Sequence, residues 1–77
     1  MLKLKIVSPE KVEFNGNVEQ VKVPGAMGSF EILTNHAPII SLLQKGVVEY
    51  DGKQLGITGG FVSVQKNEVS ICIEISE

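Results

Sequence analysis

Apolar and polar residues alternate along most of this chain. Leu2, Leu4 and Ile6 are separated by Lys3 and Lys5, the two-residue period of a strand with one buried and one wet face. Ser8-Pro9-Glu10 breaks that strand, because Pro9 offers no N–H to a ladder and holds Ser8 in extended geometry. Val12 and Phe14 stand two apart, and the Asn15-Gly16 pair after them predicts a tight hairpin turn. Val21 and Val23 alternate with Gln20 and Lys22 and end at Pro24-Gly25, residue types that suit the middle of a type II turn. Further on, residues 47–50 and 53–58 flank Asp51-Gly52, which predicts a hairpin closed by a primed two-residue turn. Gly59-Gly60 predicts a bulge, a bend or a close approach of two backbones. Phe61, Val62 and Val64 predict another strand, Lys66-Asn67 a turn, and Val69, Ile71, Ile73 and Ile75 the last alternating strand.

Residues 28–46, GSFEILTNHAPIISLLQKG, drop this alternation. Within them Ile39, Ile40, Leu42 and Leu43 suit one helical turn as well as a buried strand, and periodicity does not decide between the two. Elsewhere short strands follow turn signals at close intervals and no helical period is sustained. The pattern predicts an all-β fold, a small two-sheet β-sandwich or flattened barrel of short antiparallel strands. No internal repeat, linker or low-complexity tract interrupts it, so a single domain over residues 1–77 is expected.

Composition narrows the function. A chain of 77 residues buries about 60 to 65% of its unfolded surface. A core that small rarely supplies more than about 3 to 5 kcal/mol without reinforcement. One cysteine, Cys72, makes no internal disulfide, and one cysteine with one histidine makes no structural zinc site. Good packing or a completing partner is left as the source of stability. The single cysteine also fits a reducing compartment.

Net charge is −2, and every one of the seven basic residues is a lysine. Without arginine or a basic stripe, nucleic acid is not an expected partner. The N-terminus lacks the continuous apolar stretch of a signal peptide, and no run approaches a membrane span. A soluble domain is expected, with any membrane association reached only through another protein.

Candidate chemistry is sparse. His36 is the sole imidazole, and Ser8, Ser29 and Ser41 supply hydroxyls, but none sits in a nucleophile elbow. A loop histidine bonded to nearby backbone explains His36 without catalysis. Gly25, Gly28 and Gly59-Gly60 are followed by no Gly-Lys-Ser/Thr, so turns and a bulge account for them better than a phosphate loop does. Glu49 and Asp51 belong at a solvated hairpin end. No metal ligand set and no cofactor are expected. What stands out is an apolar surplus: hydrophobic residues are 43% of the chain, yet Met27 and Phe30 occupy a Gly-flanked loop. They either fold back as a plug or form an exposed patch for a partner.

The order of these motifs is similar to a known family. LKIVSPEKVEFNGNVEQVKVPGAMGSFEIL, then NHAPII, then GITGGFVSVQKNEVSICIE resemble, in register, the N-terminal β-sandwich domain of the epsilon subunit of F-type ATP synthase, called delta in mitochondria. The resemblance implies a non-catalytic rotor subunit of the central stalk, without a cofactor of its own. Its partners would be the gamma subunit and the c ring, and it would help couple ion-driven rotation to ATP synthesis. It would sit peripherally on the cytoplasmic face of a bacterial membrane, held there by the complex.

Carried over position by position, Met27, Gly28, Ser29 and Phe30 would face the c ring. His36, Ala37, Pro38 and Ser41 would lie against gamma and the c ring, and Ser8 would be another gamma-facing position. Ser29 stands where many members carry an acidic residue. The usual C-terminal helical hairpin, which inhibits hydrolysis and in some members binds ATP, is expected to be absent. The alternative is an independent β-sandwich module binding a carbohydrate or small ligand, against which stands the lack of tryptophan and the presence of only one tyrosine and three phenylalanines. A small hydrolase built on His36 would need a deep polar cleft.

Overall fold

The computed structural model of the chain describes residues 1–75; Ser76 and Glu77, the end of the expected domain, lie outside the described residues. Nine strands follow one another: β1 (Leu2–Val7), β2 (Val12–Val18), β3 (Gln20–Val23), β4 (Phe30–Leu33), β5 (Ile39–Leu43), β6 (Gly46–Tyr50), β7 (Lys53–Ile57), β8 (Gly59–Gln65) and β9 (Glu68–Glu74). They form a five-stranded sheet, β2-β1-β9-β8-β5, and a four-stranded sheet, β4-β3-β6-β7. The fold is a two-sheet β-sandwich.

Alternation builds it. Leu2, Leu4 and Ile6 of β1, with Val69, Ile71 and Ile73 of β9, point inward and are buried, while Lys3 and Lys5 stay wet. Val21 and Val23 of β3, Ile32 of β4 and Val48 of β6 meet them from the other sheet in one cluster. Each fully buried aliphatic side chain contributes about 1.5 to 3 kcal/mol. Among the described residues no polar or charged side chain is buried in that core.

Most turns follow their residue types. Asp51 and Gly52 have φ of 48° and 82°, and Tyr50 pairs with Lys53, so β6 and β7 form the expected two-residue primed hairpin. Lys66 and Asn67, at 51° and 61°, close β8 onto β9 in the same way. Gly60 has φ 142°, and a Cβ there would stand 2.1 Å from the Cys72 carbonyl oxygen, the close backbone approach expected of the glycine pair.

Five expectations are corrected or decided. Asn15-Gly16 is not a turn: β2 runs straight through it, Asn15 opposite Lys5 and Gly16 opposite Leu4. The Phe14 ring lies over Gly16, 3.2 Å from where a Cβ would be, so this glycine makes room within a strand. The reversal between β1 and β2 occurs earlier, where Ser8 N–H donates to the Lys11 carbonyl at 2.9 Å. Pro24-Gly25 does not form the middle of a turn either. The turn begins at Gly25, whose carbonyl accepts the Gly28 N–H at 2.9 Å, and the residue with positive φ is Gly28. The ambiguous stretch from Ile39 is a strand, β5, and Ile75 lies beyond the end of β9. Finally, the sheet is not wholly antiparallel, because β1 pairs with β9 in parallel and so joins early and late parts of the chain.

Candidate functional site

Strand β5 forms one edge of the five-stranded sheet, and two loops converge on it. The first follows β3. Gly25 bridges Leu43, Ala26 N–H donates to the Leu42 carbonyl at 2.9 Å, and Gln44 N–H donates to the Pro24 carbonyl at 2.8 Å. This strip of ladder ties a loop of the four-stranded sheet to the edge of the other. The Gly25–Gly28 turn then carries Met27 at its tip, fully exposed, with Gly28 and Ser29 exposed beside it.

Phe30 turns the other way. It is half-buried against the core, and its ring crosses Gly25 so closely that a Cβ there would stand 2.9 Å from it. Of the two apolar loop residues, one is therefore a free tip and the other a plug. The plug also reaches the second loop: the Phe30 and His36 ring centroids are 6.4 Å apart. His36 N–H donates to the Leu33 carbonyl at 3.1 Å, closing a turn whose third residue, Asn35, has φ 67°. The His36 Nδ1 lies 2.7 Å from the Ala37 carbonyl oxygen, to which it donates. Ala37 and Pro38, both exposed, lead directly into β5.

Ser41 and Ser8 stand apart from this corner. Ser41 lies opposite the fully buried Val62, is half-buried on the face between the sheets, and donates its hydroxyl to the Leu42 carbonyl at 3.3 Å. Ser8 follows β1 near the opposite edge of the five-stranded sheet. Its hydroxyl lies 3.2 Å from the Lys11 carbonyl and the Glu13 carboxylate and accepts the Lys11 N–H at 3.2 Å. The structure brings residues 27–30 and 36–38 together and leaves Ser8 across the sheet.

The structure adds residues that the pattern alone did not single out. Ile40 and Leu42 point away from the core and are 79% and 69% exposed, and Phe61, opposite Leu42 on β8, is 44% exposed. Ser63, opposite Ile40, and Cys72, opposite Phe61, extend this uncharged outer face. Farther along the same sheet the face becomes charged, with Lys3 opposite Glu68 and Lys5 opposite Ser70. The apolar run that the sequence left open between a helical turn and a buried strand is thus a strand buried on one side only. Three large apolar side chains side by side on an exposed face have the chemistry of a docking surface.

The hollow beside this face, lined by Pro38, Ile39, Ile40, Ser63, Val64 and Gln65, is an open groove. Among the described residues no three His, Cys, Asp or Glu side chains converge as a metal site requires, and no helix is long and apolar enough to cross a membrane.

Residues 1–77 match the family described as the ATP synthase delta/epsilon chain, beta-sandwich domain. The chain belongs to that family. It is 42% identical over 74 residues to the ATP synthase epsilon chain of Leptospira interrogans serogroup Icterohaemorrhagiae serovar copenhageni, covering 91% of this chain and 58% of that protein. It is also 42% identical over 78 residues to the epsilon chain of Nitratiruptor, covering 95% and 60% respectively. The chain thus spans less than two thirds of the length of these relatives. The fold superposes on a chain of the Euglena gracilis mitochondrial ATP synthase structure of OSCP, F1 and c ring with a TM-score of 0.86 at 23% identity, over 94% of this chain and 49% of that one. It superposes likewise on a chain of the central stalk and c-ring structure of the Tetrahymena thermophila enzyme, with a TM-score of 0.82 at 18% identity, over 95% and 63%. At these identities the two structures establish the shared fold.

Proposed function

We propose that this chain is the β-sandwich of a central-stalk rotor subunit, which docks on the gamma subunit and the c ring of an ATP synthase. In this role it helps transmit ion-driven rotation to ATP synthesis. The observation that carries the reading is the outer face of β5 and β8. Ile40, Leu42 and Phe61 leave apolar area in water beside the loops where the family resemblance places partner contacts. Strand geometry sends alternate side chains of β5 to opposite faces, so with Leu43 in the core Ile40 and Leu42 stay in water unless another protein covers them.

Within that surface the roles divide by exposure. Met27, Gly28 and Ser29 form the projecting tip that meets the c ring. His36, Ala37 and Pro38, with the β5 face, form the side that meets gamma. Phe30 supports both loops from behind. Ser8 contributes at the far edge, and Ser41, facing between the sheets, supports β5 from within. The subunit performs no chemistry of its own. Support comes from the use of the Ser8 and Ser41 hydroxyls and the His36 Nδ1 in local bonds, away from any shared centre. It binds at the cytoplasmic face of a bacterial membrane through the complex. The carbohydrate-module alternative gains little from the aromatic residues: Tyr50 is buried, Phe14 is packed on it with ring centroids 4.7 Å apart, Phe30 is a plug, and Phe61 alone is exposed among them.

The test is to tag the chain in its source cells, solubilise membranes gently and identify by mass spectrometry what co-purifies. Recovery of gamma, the c ring and the catalytic head is expected. Recovery of the chain with none of them would overturn the reading.

A further inference from the structure

The two primed hairpin turns, Asp51-Gly52 and Lys66-Asn67, differ most tellingly at their second residue. In the β6–β7 turn the second residue is Gly52, the residue type that left-handed geometry favours. In the β8–β9 turn the same position is Asn67, with φ 61°. Asparagine tolerates that conformation less well than glycine, so its side chain has to offer something in return. Here the side chain reaches 32 residues back along the chain. Asn67 Oδ1 accepts the Asn35 N–H at 2.7 Å, the shortest hydrogen bond that any side-chain amide makes among the described residues. Asn67 Nδ2 lies 3.4 Å from Asn35 Oδ1, a weaker return contact.

The Asn67 backbone is fixed from a third direction, its carbonyl accepting the Lys3 N–H at 2.8 Å. The turn is therefore held by β1, and through its amide it grips Asn35. Asn35 is itself left-handed and immediately precedes His36. A second tie lies beside it, since the Met1 ammonium donates to Thr34 Oγ1 at 3.1 Å. The loop from Thr34 to Pro38 crosses between the sheets and has no strand partner of its own. Its shape is set at its first half by these contacts from the five-stranded sheet.

We propose that Asn67 is a positioning residue for docking: it holds Asn35, and through it the His36-Ala37-Pro38 corner, in the conformation that meets the partner. The proposal rests on the docking reading above. A corner held in place before contact binds more tightly than one that must be ordered on binding. Glycine at position 67 fits the turn and removes only the amide. Aspartate keeps the acceptor oxygen for the Asn35 N–H.

The experiment compares the wild-type chain with Asn67→Gly and Asn67→Asp. Amide hydrogen exchange is read by NMR at Asn35 and at the core residues Val62 and Ile71, and affinity is measured for purified gamma subunit. Asn67→Gly should leave core exchange within about twofold of wild type and speed exchange at Asn35 by about tenfold or more. It should weaken gamma binding by about three- to tenfold, and Asn67→Asp should restore most of both. Unchanged exchange at Asn35 in Asn67→Gly would overturn the proposal, as would a released Asn35 with undiminished affinity. If the wild-type chain fails to bind gamma, the docking reading falls, and exchange at Asn35 still decides whether Asn67 holds the corner. Should Asn67→Gly not fold, core protection lost there and kept in Asn67→Asp would assign Asn67 to the fold and overturn a role confined to positioning.

Discussion

Leu42 and Phe61 face each other across the β5–β8 ladder with both side chains on the water side of the sheet. Their neighbours Leu43 and Val62 point inward and are buried, so the outer pair is not needed to hold the core. Leu42→Ser is expected to change folding stability by less than about 1 kcal/mol, measured by urea denaturation. A larger loss would mean that this face supports the fold itself.

Met27 and Phe30, three residues apart, should respond in opposite ways. Met27→Ser removes a fully exposed tip and should leave the melting temperature unchanged. Phe30→Ser empties a half-buried site against the core and beside Gly25, and should destabilise by about 2 to 3 kcal/mol. Thermal unfolding of the two variants side by side checks this, and equal effects would contradict the division between tip and plug.

That division marks the limit of what the sequence alone conveys. Alternation revealed β1, β3 and β9 because burial on one face leaves a two-residue period, and Asp51-Gly52 and Lys66-Asn67 revealed their turns through the need for positive φ. Asn15-Gly16 carried the same local preference, yet six residues of β1 pair along β2 and outweigh it. Local propensity yields to a ladder that long. The run from Ile39 to Leu43 was opaque for another reason. An apolar strand covered on both faces and an edge strand with an apolar outer face have the same composition, and only the position of β5 in the sheet separates them. The motif resemblance picked out the loops around β5 but not Ile40, Leu42 or Phe61. It also could not show that Ser8 lies across the sheet from the rest.

Gly60 should tolerate no side chain. A Cβ there would meet the Cys72 carbonyl oxygen at 2.1 Å and the Ile73 Cα at 3.0 Å, both backbone atoms of a central ladder. Gly60→Ala is expected to cost on the order of 3 kcal/mol or more, comparable to the whole margin of so small a core. Circular dichroism at 25 °C should show a largely unfolded population, and a stable variant would contradict the close approach.

Asp51 holds a different junction, at the β6–β7 turn. Its carboxylate accepts the Glu19 N–H at 3.0 and 3.1 Å and the Gln20 N–H at 3.2 Å, pinning the corner where β2 leaves one sheet and β3 enters the other. Asp51→Ala should destabilise by about 1 to 2 kcal/mol, and Asp51→Asn, which keeps one acceptor oxygen and tolerates positive φ, by less. Denaturant titration of both variants orders them, and the reverse order would remove the carboxylate from this role.

The central claim is that the β5 side of the sandwich is a partner surface. Its most direct test is calorimetric titration of the chain into a purified complex of gamma subunit and c ring, repeated with Ile40→Ser/Leu42→Ser. Wild type should bind, and the double variant should bind at least about tenfold more weakly with an unchanged melting temperature. Equal affinity of the two chains, or no binding by wild type, would contradict it.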